Sequence, residues 1–388
     1  MTTIRLKARE GRRLRAGAPW VFANEIVLDA GAKALAAGAL VNIEGDDGKK
    51  FGTGYFNLKS LIALRLLDPR PDAIIDKAFF VSRLSRALRL REAITAKPFY
   101  RLVHAEGDFL PGLTIDRFGD CLVLQITTAG MEALLDPLLA ALDEVVVPET
   151  VILRNDAPAR ALEGLDSYVR AAKGEMPSRV AVEENGIRYF ADPRAGQKTG
   201  WYYDQRGNRA FMAGLAKGRT VLDAYCYSGG FALAAAKAGA KDVAGLDSSA
   251  PALSLAEDAA RANGVTAKFV KCEVFAELER LSAERFDIVI ADPPPFVKSK
   301  KDLEPGAKAY RKLARLAAGI TAPNGFLLLA SCSHNMPAER FASECAIGIV
   351  RAGRSASLIR QSGAGPDHPI HPMLPETAYL KVLVYALD

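Results

Sequence analysis

A cysteine and an aspartate each follow an apolar segment in the C-terminal part of the chain. Asp292 opens Asp-Pro-Pro-Pro-Phe directly after residues 286–291, and Cys332 lies in Ala-Ser-Cys-Ser-His after residues 325–330. A thiolate in such a place can add to carbon 6 of a cytosine ring, which turns carbon 5 into a nucleophile that can accept a methyl group. An acid at Asp292 would assist by protonating ring nitrogen 3. A small buried cysteine and a stiff proline-rich turn are the structural alternatives.

A loop with small residues precedes these two positions. Residues 221–231 predict a strand that ends at Asp223, then a turn with Ser228 and Gly229 that opens a helix. Glycine lets the backbone approach a ligand, and the start of a helix offers unpaired N–H donors. Together with Tyr225, these residues form a predicted nucleotide-binding loop. An ordinary strand-to-helix turn remains the alternative.

Two more acidic residues follow the next predicted strands. A carboxylate at Asp247 could accept both hydroxyls of a ribose, with Ser248 beside it, although Asp247, Ser248 and Ser249 also suit a helix N-cap. Glu273 could accept an adenine amino group, or it is a surface glutamate. Enzymes that use NAD share the ribose carboxylate but have no use for an Asp-Pro-Pro turn. The set therefore favours methyl transfer from S-adenosylmethionine (SAM).

The segments that must position these residues alternate between strand and helix patterns from about residue 190. Predicted strands are 220–223, 242–247, 267–270, 286–291 and 325–330, and predicted helices are 230–239 and 250–263. Short apolar strands that alternate with helices are typical of a parallel, doubly wound α/β sheet. Ligands of such sheets bind outside the carboxyl ends of the strands, which is where these carboxylates and Cys332 are expected.

The first half of the chain has different patterns. Residues 1–72 contain short β-segments joined by Gly and Asp turns, which predict a small barrel. Residues 73–188 predict a central α+β domain. Its predicted helices are 78–95 and 131–142, and its predicted strands are 101–104, 113–115, 121–126 and 150–154. We therefore expect three domains, over 1–72, 73–188 and 189–388.

Charge and cysteine content narrow the class of protein. The 388 residues include 51 Lys and Arg against 45 Asp and Glu, for a formal net charge of +6. The basic residues cluster in two N-terminal runs: Arg5, Lys7, Arg9, Arg12, Arg13 and Arg15, then Arg83, Arg86, Arg89 and Arg91. These runs favour contact with a nucleic acid, with a solvated face as the alternative.

The cysteines point to a reducing compartment. They are five in number, and none shows CxxC spacing, which predicts free thiols and no metal site. The sequence contains no apolar run of membrane-spanning length and no apolar stretch of a signal peptide. We therefore expect a cytoplasmic protein with no membrane partner.

Motifs over nearly the whole chain resemble the RlmI family, the cytosine-5 methyltransferases of 23S ribosomal RNA. The motifs are residues 19–26, 52–60, 103–117, 196–206, 292–298 and 331–333, of which 196–206 resembles the family signature GQKTGxxxDQR. The resemblance implies a small RNA-binding β-barrel of the PUA type, a central α+β domain and a C-terminal Rossmann-like domain that binds SAM.

The resemblance also implies roles for single residues. Cys332 would be the nucleophile, and the residues expected near SAM are Gln197, Lys198, Thr199 and Arg206. The family's acidic positions for SAM and the base are matched by Asp223, Asp247, Glu273 and Asp292, although Asp is usual where Glu273 stands. RNA cytosine-5 enzymes of another lineage carry a second cysteine at the position of Pro295. The residue that removes the carbon 5 proton is therefore unassigned, and Cys226 is disfavoured because its loop should face SAM.

The sequence thus predicts an RNA methyltransferase that makes 5-methylcytosine. The expected partner is 23S ribosomal RNA, before or during ribosome assembly, with a homodimer left open. One alternative is an amino-group methyltransferase that clamps a base between Asp292 and Phe296. Another is an RNA-binding assembly factor with a vestigial SAM site.

Overall fold

A computed structural model describes residues 1–388, which fold as two compact units. The first unit contains residues 1–180, 192–201 and 366–375, and the second contains the remaining residues. The predicted boundaries at residues 72 and 188 stay predictions. No helix combines the length and the apolar character needed to cross a bilayer.

The first unit begins with a five-stranded sheet in the order β1-β3-β4-β5-β2. Its elements are β1 (Thr3–Arg5), α1 (Arg12–Arg15), β2 (Trp20–Val21), α2 (Ala30–Ala34), β3 (Ala39–Glu44), β4 (Lys50–Phe56) and β5 (Leu64–Asp68). A bridge between Leu6 and Ile26 links the chain after β1 to the chain after β2, the two edge strands. Apolar side chains such as Val21, Ile43 and Phe56 are fully buried inside, as expected of a small barrel.

A second five-stranded sheet, in the order β10-β9-β8-β7-β6, completes the first unit. Its elements are α3 (Lys77–Ile94), β6 (Phe99–His104), β7 (Leu113–Phe118), β8 (Cys121–Ile126), α4 (Ala129–Ala133), α5 (Leu135–Val145), β9 (Thr150–Asn155), α6 (Ala159–Leu162) and β10 (Tyr168–Lys173). The helix predicted over 131–142 is divided at Leu134, because Pro137 has no amide hydrogen to donate to the carbonyl four residues earlier.

The second unit is a layered α/β fold. Its elements are β11 (Val180–Glu184), β12 (Ile187–Ala191), α7 (Arg206–Gly214), β13 (Thr220–Ala224), α8 (Gly230–Lys237), β14 (Asp242–Asp247), α9 (Ala250–Asn263), β15 (Lys268–Lys271), α10 (Val274–Arg280), β16 (Phe286–Ala291), α11 (Leu303–Ile320), β17 (Thr321–Ser331), α12 (Ala338–Arg351), β18 (Ala356–Ser362) and β19 (Lys381–Leu387). The predicted strands 242–247 and 286–291 have these bounds in the structure, and the predicted α/β fold is confirmed.

Seven strands of this unit form one sheet in the order β15-β14-β13-β16-β17-β19-β18. The five predicted strands are parallel to one another, as expected, and β19, which was not predicted, is antiparallel to both of its neighbours. Val382 and Val384 pack into one core and Leu383 and Tyr385 into the other, so β19 is covered on both faces. Its reversal places its first residue at the carboxyl ends of the parallel strands.

Candidate active site

The loop between β13 and α8 leaves two buried polar atoms unsatisfied. Asp223, at 1% exposure, is the penultimate residue of β13, and its Oδ2 accepts the Ala232 N–H at 2.9 Å. The other oxygen of Asp223, Oδ1, and the hydroxyl of Ser228 are buried and have no hydrogen-bond partner. Buried polar groups are normally paired, so these two atoms indicate a ligand position.

The backbone of this loop is shaped for close approach. Tyr225 and Tyr227 have φ of 65° and 50°, in the left-handed region, and Gly229 caps α8 with φ of 80°. A Cβ at Gly229 would lie 3.0 Å from the Cβ of Ala256. Glycine is therefore favoured at this position both by its backbone conformation and by the space available. The result is an open helix N-terminus beside the two unsatisfied atoms.

The electrostatics of the loop favour a cationic ligand. Burial raises the pKa of Asp223 to about 8, the Ala232 N–H opposes the shift, and the charges of Asp292 and Asp247 add to it. A positive group beside Asp223 would relieve both the desolvation and the repulsion. SAM carries an ammonium and a sulfonium, so the residues present fit it.

Asp247 joins the loops that follow β13 and β14. Its two oxygens accept the backbone N–H groups of Tyr227, at 2.9 Å, and Ser249, at 2.8 Å. Ser249, and not Asp247 or Ser248, caps α9. Ser248 is exposed. Asp247 thereby holds its carboxylate at the strand end, where each oxygen keeps a lone pair that can accept a further hydrogen bond. Its contact with a ribose stays a prediction.

Glu273 is exposed and caps α10. Its carboxylate accepts the N–H groups of Phe275, at 3.2 Å, and Ala276, at 2.8 Å. This capping is a structural use of the glutamate, and its predicted contact with adenine stays a prediction.

Asp292 and Cys332 follow β16 and β17, which are adjacent strands of the sheet. Gln205 donates its Nε2–H to Asp292 Oδ2 at 2.9 Å, and Gln205 is itself held by Asn208 at 2.7 Å. The sulfur of Cys332 is partly buried and lies 3.9 Å from the carbonyl oxygen of Pro293. The fold therefore brings the predicted acid and the predicted nucleophile to the same edge.

Phe296 belongs to an aromatic cluster. Its ring centre lies 4.8 Å from that of Tyr310 and 5.8 Å from that of Phe275. These contacts hold the ring in the core next to α11 and reduce the face that it could offer to a base.

Hydroxyl groups and an amine surround Cys332. Tyr310 lies 2.8 Å from the hydroxyls of both Ser331 and Ser333. Lys381 donates to the carbonyl oxygen of Ser333 at 2.6 Å. Burial lowers the pKa of Lys381 to about 8, and the negative charge of Cys332 partly offsets that shift. Lys381 was not predicted from the sequence, because a lysine at the start of an apolar strand carries no local signal of a site.

The signature over 196–206 is divided between the two units. Gln197, Lys198 and Thr199 belong to the first unit, where the buried hydroxyl of Thr199 donates to Asp116. Arg206 begins α7 in the second unit and pairs with Glu184 at 3.5 Å. The proximity of these four signature residues to SAM stays a prediction.

Comparisons with known proteins agree with this geometry. The model of the S-adenosylmethionine-dependent methyltransferase family matches residues 163–384, and the model of the PUA-like domain matches residues 4–69. The ribosomal RNA large subunit methyltransferase I of Tolumonas auensis is 38% identical, over 99% of this chain and 98% of its own.

Solved structures show the same fold. A Streptococcus mutans chain assigned as a SAM-dependent methyltransferase aligns with a TM-score of 0.83 at 22% identity, over 100% of both chains. A methyltransferase solved with S-adenosylhomocysteine aligns with a TM-score of 0.85 at 22% identity, also over 100% of both chains. The matches to the family models and to these relatives agree with the loop and its acidic residues. This chain therefore belongs to the ribosomal RNA large subunit methyltransferase I family and is a SAM-dependent methyltransferase with a PUA-like N-terminal domain.

Proposed function

We propose that this enzyme methylates carbon 5 of a cytosine in 23S ribosomal RNA through a covalent adduct with Cys332. The observation that carries the proposal is the partly buried thiol of Cys332 at the same strand edge as Asp292 and the SAM loop. Methylation of an amine or an oxygen would need no thiol at this position. The relative from Tolumonas auensis is named for ribosomal RNA of the large subunit, which supports the substrate class.

The residues of the β13–α8 loop and its neighbours would hold SAM. Asp223 would pair with a positive group of SAM, and the hydroxyl of Ser228 would bond to the ligand, because both have an unsatisfied atom there. Asp247 would accept the ribose hydroxyls, with Ser248 beside it, and Glu273 would meet the adenine edge. Bound SAM supplies an electrophilic methyl group.

Cys332 and Asp292 would act on the cytosine. The Cys332 thiolate forms a bond to carbon 6 as the double bond between carbons 5 and 6 opens, and Asp292 donates a proton to nitrogen 3. Gln205 orients Asp292 for that task through its hydrogen bond. The cytosine must leave its stack to reach the thiol, as in other enzymes that react with a base.

The PUA-like barrel would contact the RNA by charge and shape. Arg12 is exposed for such contact, whereas Arg15 pairs with Asp46 at 3.0 Å and Asp47 at 3.5 Å. We expect the RNA substrate to be bound before or during assembly of the subunit, when the target cytosine is accessible.

The test combines a nucleophile variant with base mapping. Cys332→Ala should abolish 5-methylcytosine formation, a loss of at least ~1000-fold, while calorimetry shows unchanged SAM binding. Cys272→Ser, which alters another partly exposed thiol, serves as the matched control. Bisulfite sequencing of ribosomal RNA from cells with and without the gene would locate the target.

An adduct assay addresses the covalent step directly. Wild-type enzyme and SAM should form an SDS-stable complex with RNA that contains 5-fluorocytidine, because the fluorine on carbon 5 cannot leave as a proton does. Cys332→Ala should form no such complex. A Cys332→Ala enzyme with full activity would refute the cytosine-5 mechanism.

A further inference from the structure

The reversed strand β19 brings an amine to the nucleophile. Lys381 pairs in register with Ser331, the last residue of β17, and Cys332 is the next residue along the chain. The amine of Lys381 donates to the carbonyl oxygen of Ser333 at 2.6 Å, so its nitrogen lies just beyond the strand ends. Lys381 and Cys332 are 49 positions apart in the sequence, but the sheet places Lys381 beside Ser331, the residue before Cys332.

The amine is half-buried and has no carboxylate partner. The Ser333 carbonyl is its hydrogen-bond acceptor, and Lys381 makes no ion pair. A structural lysine of this kind would usually extend to water or pair with an acid. The titratable or charged groups on neighbouring segments are Cys332 and His334 after β17, Tyr310 on α11, Arg360 on β18, Tyr379 before β19, Asp204 bonded to Tyr379, and Asp292 after β16.

Of those groups, Cys332 is the one whose charge acts on the amine. Asp292 is held by Gln205, and Asp204 accepts the hydroxyl of Tyr379 at 2.5 Å. Asp292 and Asp204 therefore each have another hydrogen-bond partner, and Cys332 is the charged group that acts on the amine of Lys381.

We propose that Lys381 is the general base that removes the carbon 5 proton and so releases the methylated cytosine from Cys332. This role rests on the proposed cytosine-5 function, and it fills the position for which the sequence offered no second cysteine. Lys381 would be a catalytic residue, because its nitrogen would contact the proton that leaves.

The step balances in atoms and electrons. In the adduct, carbon 5 carries both its original hydrogen and the new methyl group, and carbon 6 is bonded to sulfur. The neutral amine of Lys381 takes the proton, and the electron pair of the carbon–hydrogen bond re-forms the double bond to carbon 6. The carbon–sulfur bond breaks with its pair on sulfur, which regenerates the Cys332 thiolate and leaves Lys381 as an ammonium.

Formation of the adduct changes the charge on Cys332, and this change favours the protonation state that Lys381 needs at each step. Before addition, the thiolate of Cys332 raises the pKa of Lys381, so an ammonium stands beside the thiolate and stabilises it. Addition to carbon 6 removes the negative charge from the sulfur. The charge that opposes the effect of burial is then gone, so burial favours the neutral amine that the base step requires.

The test distinguishes a role of Lys381 as a general base from an electrostatic or structural role. The variants are Lys381→Met, which removes both charge and base, and Lys381→Arg, which keeps the charge but does not deprotonate near neutral pH. The probe is large-subunit ribosomal RNA transcribed in vitro from the organism's own gene. The readouts are methyl groups transferred per enzyme, SDS-stable protein–RNA adduct, and steady-state turnover.

Both variants should transfer about one methyl group per enzyme and then accumulate a methylated adduct. Steady-state turnover should fall at least ~100-fold, the usual range for loss of a general base. Lys241→Met, an exposed lysine before β14, should behave as wild type. The thermal unfolding and SAM affinity of both Lys381 variants should match wild type, because no carboxylate is left without its partner.

Two outcomes would refute the role of Lys381 as the base and leave the proposed cytosine-5 mechanism standing. One is near-normal turnover by Lys381→Arg, which would mean that the positive charge suffices. The other is slow turnover by Lys381→Met without any adduct, which would place the defect before release. Failure of the wild-type enzyme to form an adduct on 5-fluorocytidine RNA would instead refute the cytosine-5 mechanism and the role of Lys381 with it.

Discussion

The two units of this protein differ in whether every buried charged group has a hydrogen-bond partner. In the first unit, Arg91 is fully buried and binds both oxygens of Asp108, at 2.6 and 2.7 Å, and Arg101 binds both oxygens of Asp116, at 2.9 and 2.8 Å. No buried side-chain polar atom of the first unit lacks a hydrogen-bond partner. The second unit has a buried pair of the same kind, Arg209 with both oxygens of Glu184, but its Asp223 keeps one oxygen unsatisfied.

This difference in pairing distinguishes buried charged groups that stabilise the fold from a buried charged group that can bind a ligand. A buried ion pair with every hydrogen bond made fixes the position of the elements that carry it. A buried carboxylate with an open oxygen destabilises the free protein and gains its partner only on binding. Pairing, rather than burial alone, therefore distinguishes Asp223 from Asp108 and Asp116.

The same comparison corrects one prediction made from the sequence, that of a basic face over residues 83–91. The basic run over 83–91 was expected to lie on a face for nucleic acid. This expectation is wrong for Arg91, which is fully buried in its pair with Asp108. Charge counted along a sequence does not show which arginine has an internal partner.

The largest expected effect comes from breaking a pair in the first unit. Asp108→Ala leaves the guanidinium of Arg91 buried without its carboxylate and should lower the free energy of unfolding by about 3–5 kcal/mol. Asp143→Ala is the control, because Asp143 pairs with Lys173 at the surface and should cost less than about 1 kcal/mol. Urea unfolding measures both, and equal costs would contradict the comparison.

The second-largest expected effect is a dependence of the free energy of unfolding on pH, caused by Asp223. Its folded pKa is raised, to about 8, so between about pH 5 and 8 the unfolded chain releases this proton while the folded chain keeps it. The raised pKa therefore makes the ligand-free protein lose stability as pH rises, by at most about 1.4 kcal/mol per pH unit from this group.

Asp223→Asn should remove that slope and weaken SAM binding. Unfolding free energies of wild type and variant, measured without SAM at several values between pH 5.5 and 7.5, give the difference in slope. Asp242→Asn, an exposed aspartate at the start of β14, should leave the slope unchanged. Parallel curves for wild type and Asp223→Asn would show that Asp223 is ionised in the folded protein.

The smallest expected effect comes from removing one buried hydroxyl in each unit and comparing the results. Thr53 in the first unit accepts the Ala73 N–H and donates to the Arg70 carbonyl, each at 3.0 Å, so Thr53→Val should cost about 1–3 kcal/mol of stability. Ser228→Ala removes a hydroxyl without a partner and should leave stability nearly unchanged. It should instead weaken SAM binding about tenfold, equivalent to about 1.4 kcal/mol, by calorimetry. A large loss of stability in Ser228→Ala would count against a ligand at that hydroxyl.

Part of the fold followed from local pattern. The strands 242–247 and 286–291 are short apolar runs with turn residues on both sides, and such runs are buried in a parallel sheet whatever surrounds them. Strand β10 was missed because it has no apolar alternation: its residues Tyr168–Lys173 are exposed or half-buried. Strand β19 was missed although it is apolar, because a terminal strand lacks the helix that marks the parallel pattern.

The sequence by itself determined the class of fold, the order of the SAM loop and its acidic residues, and the presence of Cys332 one strand beyond Asp292. These are local features, since each residue follows its own strand and all parallel strands end at one edge. Only the tertiary structure decided which buried charges are paired and which group faces the thiol. Lys381 reaches Cys332 because β19 runs against its neighbours, and strand direction depends on packing across the whole sheet rather than on the residues of the strand.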